Sequence, residues 1–281
     1  ASELYQLTAA QVVALLGRGE VSPLELVDAA VARIEATDRH LNALPTLCVD
    51  RARDHARRIM KHGRPDGDGP WLGGLPLAIK DLNEVAGVRT TFGSPIFAHH
   101  VPERSDILVE TLEARGGIVL AKSNTPEFGA GASTFNEVLG KTRNPWNTDK
   151  SVAGSSGGAA AALAAGQVWL AHGSDLGGSL RIPASFTGVV GLRPSPGRVA
   201  SGPSSMPFDT LFVDGPMART ARDTALFLDA LCGEHPRDPL TFPAPARSFL
   251  EAVEAAEAPR RIGFSEDLGI VPVDPEVAAI C

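Results

Sequence analysis

Only three of the 281 residues are cysteine, Cys48, Cys232 and Cys281. They are odd in number and far apart, so neither a disulfide framework nor a C-x-x-C metal site can be built from them. A reducing, cytoplasmic compartment is the simpler expectation. Cationic excess is also missing. The net charge of −7 leaves no surplus of Lys and Arg to displace phosphate counterions, which argues against a nucleic-acid partner. Long apolar runs are absent: the longest weakly polar stretch, Gly157 to Ala171, is rich in Ala and Gly and too short to span a bilayer, so no membrane partner is expected. The first residues, from Ala1, lack the basic patch and apolar run of a secretory signal. The histidines, including the adjacent His99 and His100, show no metal-ligand spacing with Cys or carboxylates, and His172 in its apolar run reads as a satisfied core residue. No internal repeat is visible.

What is present suits a soluble globular protein: 43% hydrophobic and 21% charged residues in a chain long enough for a large core. Thr8 followed by Val12, Val13, Leu15 and Leu16 predicts a first helix. Ser22 and Glu25 have capping-box spacing, with Pro23 at the first helical position and an apolar face running to Ile34. Residues 43–49 read as a strand, 50–62 as a basic-faced helix, and His62 to Pro70 as a surface loop. Leu75 to Ile79 forms an apolar strand ending in Lys80 and Asp81. Ser105 is expected to cap a helix reaching Ala114, with strand 118–121 after it. Thr220 is expected to cap a helix through Leu231, and Arg261 to Phe264 fits a short strand. Asp274-Pro275-Glu276 is a helix start with little chain after it. Strands and helices alternate, which predicts an α/β layered fold.

Three segments carry chemistry. Gly154-Ser155-Ser156-Gly157-Gly158 runs into Ala159 to Ala165. It places two hydroxyls on a tight turn at a helix N-terminus, where free N–H groups favour negative charge. Alone, it could equally be a linker or a plain cap. Gly173-Ser174-Asp175-Leu176-Gly177-Gly178-Ser179 follows an apolar run, and such a Gly-rich turn can aim several N–H groups at one point. Alone, it could be an ordinary turn with a Ser cap. Lys80 at the end of its strand is, by itself, a surface side chain more often than a catalyst. If buried, it loses its charge readily and becomes a workable base.

In conjunction these segments resemble the amidase signature family. Matching residues are Gly74-Leu75-Pro76 through Lys80-Asp81, Asn144-Pro145-Trp146-Asn147, the Gly-Ser-Ser-Gly-Gly turn, Gly173 to Pro183, Gly191-Leu192-Arg193-Pro194 and Gly215 to Thr220. Ala153, where many members have Gly, is a mild departure. The resemblance implies a three-layer α/β/α fold with a central twisted mixed sheet, formed by residues 1–281 as one domain that lacks its C-terminal part. It further implies Ser179 as nucleophile, Ser155 as bridging serine and Lys80 as base. Leu176, Gly177, Gly178 and Ser179 would be oxyanion donors, with Ser156, Asp175 and Arg181 supporting them. Gly129, Ala130, Gly131 and Ala132 would line the acyl pocket, and the Gly154–Ser155 bond would be cis. No metal or cofactor is implied. The partner is a small-molecule amide, with a homodimer as the one assembly considered.

Two other readings stay open. Gly154 to Gly158 also satisfies G-x-S-x-G, so Ser156 could serve an α/β-hydrolase with Asp229 and His235 downstream. That reading leaves Lys80 and Ser179 unexplained. Some members of the resembled family are instead amidotransferase subunits that pass ammonia to a partner protein; they often carry Gln after the loop Arg, where this chain has Ile182.

Overall fold

The computed structural model describes residues 3–65 and 69–281. Near its start the chain forms α1 (Ala9–Gly17) and α2 (Pro23–Leu41); the capping box read at Ser22 begins α2, and a further one, of Thr8 with Gln11, begins α1. Ser22 Oγ accepts from Glu25 N at 3.2 Å while the Glu25 carboxylate accepts from Ser22 N at 2.8 Å, so two orphan donors are satisfied reciprocally. Leu26, Val27, Ala30 and Ile34 form the buried stripe of α2, which ends on left-handed Asn42.

Next come β1 (Thr46–Leu47), α3 (Val49–His62), β2 (Leu75–Lys80), α4 (Ile107–Ala114) and β3 (Gly117–Ser123). The hairpin of β4 (Phe135–Asn136) and β5 (Gly140–Lys141) precedes α5 (Gly157–Ala164), β6 (Leu170–Asp175), α6 (Arg181–Thr187) and β7 (Val190–Gly191). The chain closes with β8 (Val213–Ala218), α7 (Ala221–Leu231), α8 (Phe249–Glu254) and α9 (Pro275–Ile280). The main sheet has six strands in the order β1-β3-β2-β6-β8-β7. β2 lies parallel to both β3 and β6, whereas β1, β8 and β7 run antiparallel to their neighbours, so the sheet is mixed as expected. Strands β2, β3, β6 and β8 are buried along their whole length, as strands covered on both faces must be. No helix among the described residues is long and apolar enough to cross a membrane.

Several local expectations need correction. Strand 43–49 shrinks to Thr46–Leu47, because Val49 already begins a helix. Ser105 does not cap α4: Asp106 holds the cap position, and Ser105 Oγ accepts from Ala86 N at 2.9 Å instead. Arg261 to Phe264 forms no strand and lies exposed, without a partner strand to pair its backbone. Of the loop from His62 to Pro70, residues 66–68 lie outside the described residues. By contrast, Thr220 caps α7 through Asp223 N, and Asp274 caps α9 through Glu276 N.

One packing contact positions the site. A Cβ on Gly157 would sit 2.2 Å from Thr134 Oγ1, and one on Gly158 would sit 2.2 Å from Asn124 N. Only glycine lets the first turn of α5 approach the backbone beyond β3 so closely. That approach sets Ser155 and Ser156 over the ends of β2 and β6.

Candidate active site

Lys80 is the last residue of β2 and has no exposed surface. Its Nζ donates to Ser155 Oγ at 2.7 Å, Ser174 Oγ at 2.9 Å and Ser156 Oγ at 3.0 Å. Among the described residues no carboxylate contacts this amine directly. Burial pushes it down from the ordinary lysine value to about 7, against the opposing pull of Asp214 and Asp175. A lysine so placed loses its proton near neutrality.

Ser155 and Ser156 occupy the turn that opens α5, and the Gly154–Ser155 peptide bond is cis. A plain helix cap would turn its hydroxyl toward the helix's own N–H groups. Here Thr134 Oγ1 accepts from Gly157 N at 3.1 Å and Asn124 O accepts from Gly158 N at 3.2 Å. The two serine hydroxyls are therefore free to face inward. Ser156 Oγ accepts from Ser174 N and donates to Ser174 O, each at 3.2 Å, which ties the turn to the end of β6. The neighbouring residue, Ala153, adopts φ +60°, a left-handed conformation that suits Gly better than Ala.

The Gly-rich loop after β6 is built around Asp175. Its carboxylate accepts from Gly178 N at 2.8 Å, Leu180 N at 3.2 Å, Arg181 Nε at 3.0 Å and Arg193 Nη1 at 3.2 Å. Burial would raise this carboxyl, but the bonds from Arg181, Gly178 and Leu180 outweigh it and hold the group at about 2. Arg193 also reaches Leu211 O at 2.8 Å, bracing the loop from outside. Because Gly178 N–H is taken by Asp175, Leu176, Gly177 and Ser179 are the loop residues whose N–H groups have no acceptor among the described residues.

Ser179 is brought alongside through its backbone, whose carbonyl accepts from Ser156 N at 3.2 Å. Among the described residues Ser155 Oγ is bonded to Lys80 alone, so a Ser179–Ser155 hydroxyl bond is not formed here. Gly129 also reaches the site, since a Cβ there would lie 3.6 Å from Ser155 Oγ. Ala130, Gly131 and Ala132 are exposed beside it.

The alternative built on Ser156 does not assemble. Asp229 accepts from Phe249 N at 2.7 Å and Leu250 N at 3.0 Å, which makes it the anchor of α8. His235 sits in a turn, its Nδ1 accepting from Arg237 N at 3.3 Å. No group of His, Cys, Asp and Glu able to hold a metal ion occurs among the described residues.

Sequence reading missed four participants. Ser174, next to the last residue of β6, contacts Lys80 directly. Lys122, on the adjacent β3, is as buried as Lys80 and donates to Asp81 Oδ1 at 3.0 Å and Thr90 Oγ1 at 2.8 Å. Asp81 further accepts from Thr91 N at 3.1 Å. Asp214 and its partner His172 lie behind the site. His172 is only half satisfied: Nε2 meets Asp214 Oδ1 at 2.9 Å, while Nδ1 has no partner among the described residues.

The family model for amidases matches residues 25–281. A glutamyl-tRNA(Gln) amidotransferase subunit from Roseiflexus castenholzii is 40% identical over 98% of this chain and 56% of its own length. An acylamidase from Rhodococcus erythropolis is 38% identical over 99% of this chain and 58% of its own. Among solved structures, a bacterial aryl acylamidase of the amidase signature family superposes with a TM-score of 0.88 at 34% identity, over 98% of this chain and 57% of that one. A 6-aminohexanoate cyclic dimer hydrolase complexed with substrate gives 0.87 at 33% identity, over 98% and 57%. The chain thus spans just over half the length of the relatives it matches.

Proposed function

Because this chain belongs to the amidase signature family, we propose that it carries the site of a hydrolase that cleaves carboxylic amide bonds of small molecules through an acyl-enzyme on Ser179. The observation that carries this reading is the buried Lys80 amine, pushed to about 7 and held against Ser155, Ser156 and Ser174 rather than against a carboxylate. A neutral amine so placed has a lone pair for a proton, and a serine hydroxyl is a weak nucleophile until something takes its proton.

In the proposed cycle Ser155 gives its hydroxyl proton to Lys80 Nζ and takes that of Ser179, while Ser179 Oγ bonds to the amide carbon. The carbonyl oxygen becomes an oxyanion facing the N–H groups of Leu176, Gly177 and Ser179, with Gly178 holding the loop in shape through Asp175. The relay then runs backward: Lys80 returns its proton through Ser155 to the leaving nitrogen, and the C–N bond breaks. Protonation matters because an amine anion leaves poorly. Water attacks the ester by the same relay and frees Ser179. This cycle calls for no cofactor. Gly129 to Ala132 would border the acyl group, and Ala130→Phe would then raise KM for bulky acyl groups more than for small ones.

A second reading has support in the relatives named as glutamyl-tRNA(Gln) amidotransferase subunits: the same chemistry would release ammonia for a partner protein. Ile182 follows the loop arginine here and packs over Gly178. Members of the family with the amidotransferase role often carry Gln at that point, so Ile182 favours the hydrolase. The deciding experiment treats the protein with a fluorophosphonate probe and a panel of chromogenic amides, esters and carbamates, with glutamine included. Ser179→Ala should abolish labelling and turnover, and His235→Ala should leave both intact. Dead His235→Ala with active Ser179→Ala would replace this reading.

A further inference from the structure

Behind the lysine lies a buried acid–imidazole pair that the proposed cycle does not use. Asp214 on β8 stands directly opposite Ser174 on β6 in the antiparallel register, so the two side chains share one face of the sheet. His172 lies two residues before Ser174 on the same face, and its Nε2 meets Asp214 Oδ1 diagonally at 2.9 Å. A carboxylate can only accept, so Nε2 carries the hydrogen. The other carboxylate oxygen accepts from Ser201 Oγ at 3.0 Å. Both Asp214 and His172 are essentially without exposed surface. The neighbour across from Asp214, Ser174, is a hydroxyl that Lys80 Nζ grips at 2.9 Å.

We infer that the His172–Asp214 pair is a positioning element for Lys80: His172 and Ser201 fix a carboxylate behind Ser174, and that carboxylate sets the pH below which Lys80 is unavailable as a base. The inference rests on the reading of Lys80 as base. Its physical content is electrostatic. A fixed negative charge in a poorly solvated interior favours the ammonium form, and so opposes the loss of charge that burial promotes. The carboxylate thus leaves Lys80 a stronger base than burial alone would. Of the charges acting on the lysine, Asp214 pulls hardest and Asp175 second. Of the other titratable groups around the cluster, Asp175 is bound by Arg181 and Arg193, Asp81 by Lys122, and Asp238 by the N–H of Ser201. Asp106 at the start of α4 accepts from Asn83, and burial, followed by the charge of Asp214, pushes its carboxyl up to about 7.

The test is the pH dependence of fluorophosphonate labelling, which reports attack by the nucleophile without any leaving amine. In Asp214→Asn the acid limb should move to lower pH by about one unit or more, the effect of losing an opposite charge at close range. The plateau above it should fall, since a weaker base drives attack less well. A merely structural role would lower the plateau and leave the limb in place, and that result would overturn the inference. Asp214→Glu should return the limb toward the wild-type position. His172→Gln keeps a donor for the carboxylate and removes the imidazole, so its limb should stay; a limb that moves with His172→Gln would mark the imidazole as the titrating group and equally overturn it. Melting curves accompany each variant, and Asp214→Ser, a smaller neutral replacement, is used if Asp214→Asn does not fold. Lys80→Ala separates the two levels of argument. If it labels like wild type, the reading of Lys80 as base fails; if it does not label and the Asp214→Asn limb is unmoved, the pair's role alone fails.

Discussion

Two lysines end up buried on neighbouring strands, Lys80 at the end of β2 and Lys122 near the end of β3, one register position apart and so on opposite faces of the sheet, and their hydrogen-bond partners differ. Lys122 meets a carboxylate, Asp81 Oδ1, at 3.0 Å with Thr90 as a second acceptor. Lys80 meets three hydroxyls and, among the described residues, no carboxylate. Burial drives both amines below the ordinary lysine value, and for Lys122 the adjacent Asp81 works against that push. A carboxylate in contact makes a buried lysine half of an ion pair, useful for fixing two strands but occupied. Hydroxyls in contact satisfy the amine's hydrogen bonds without committing its charge, which leaves it free to exchange protons. Asp81 directly follows Lys80, so the ion pair also clamps the strand end from which the reactive lysine projects.

Substitution by methionine at each position is the sharpest way to break this comparison. Lys80→Met should lose about 10²–10⁴ in the rate of labelling, the usual worth of a general base, while still folding. Lys122→Met should do the reverse. It leaves Asp81 buried without its counter-charge, which should cost about 3–5 kcal/mol in urea unfolding. Replacing Asp81 and Lys122 together by Leu and Met should recover most of that loss, because an apolar pair of similar volume often substitutes for a buried ion pair. Equal loss of stability in both single variants would erase the distinction.

Much of this was legible beforehand, and what was missed has a common cause. The capping box at Ser22 is a local pattern and appears as read, and the helix expected after Thr8 forms as well. Ser155, Ser156, Ser179 and Lys80 stand out along the chain as glycine-rich turns and a lysine ending an apolar run, and the roles expected of them came from the resemblance to the amidase signature family. Ser174 and Asp214 stand opposite one another only through the pairing of β6 with β8, a register between residues far apart in sequence. Lys122 lies next to Ile79 only because β2 and β3 are parallel neighbours. The failed strand at Arg261 to Phe264 is the converse case: a local apolar run without a partner strand has nothing to pair with.

Stability against pH sharpens the comparison further. Lys80 titrates near 7 when folded and near the ordinary lysine value when unfolded. Between those values the unfolded chain binds more protons, so stability rises with pH across that window, and the burden of charging Lys80 is full below about pH 7. Lys80→Met should therefore gain most over wild type near pH 6, with the gain shrinking toward pH 10. A gain independent of pH would mean that the lysine does not titrate as described. The smallest effect is expected at Ser174→Ala. It removes one of three hydroxyls from Lys80 and should cost about 1 kcal/mol of stability, in the range of a single hydrogen bond, with the labelling rate less affected than in Lys80→Met.

The account stands most directly on the protonation of Lys80 itself. Side-chain NMR of protein labelled with nitrogen-15 lysine, recorded across a pH titration and assigned by comparison with Lys80→Met, reads it without reference to any substrate. One Nζ resonance that disappears in Lys80→Met should titrate at about 7. The same resonance titrating at ~10.4, the value of a lysine in water, would contradict the role given to Lys80.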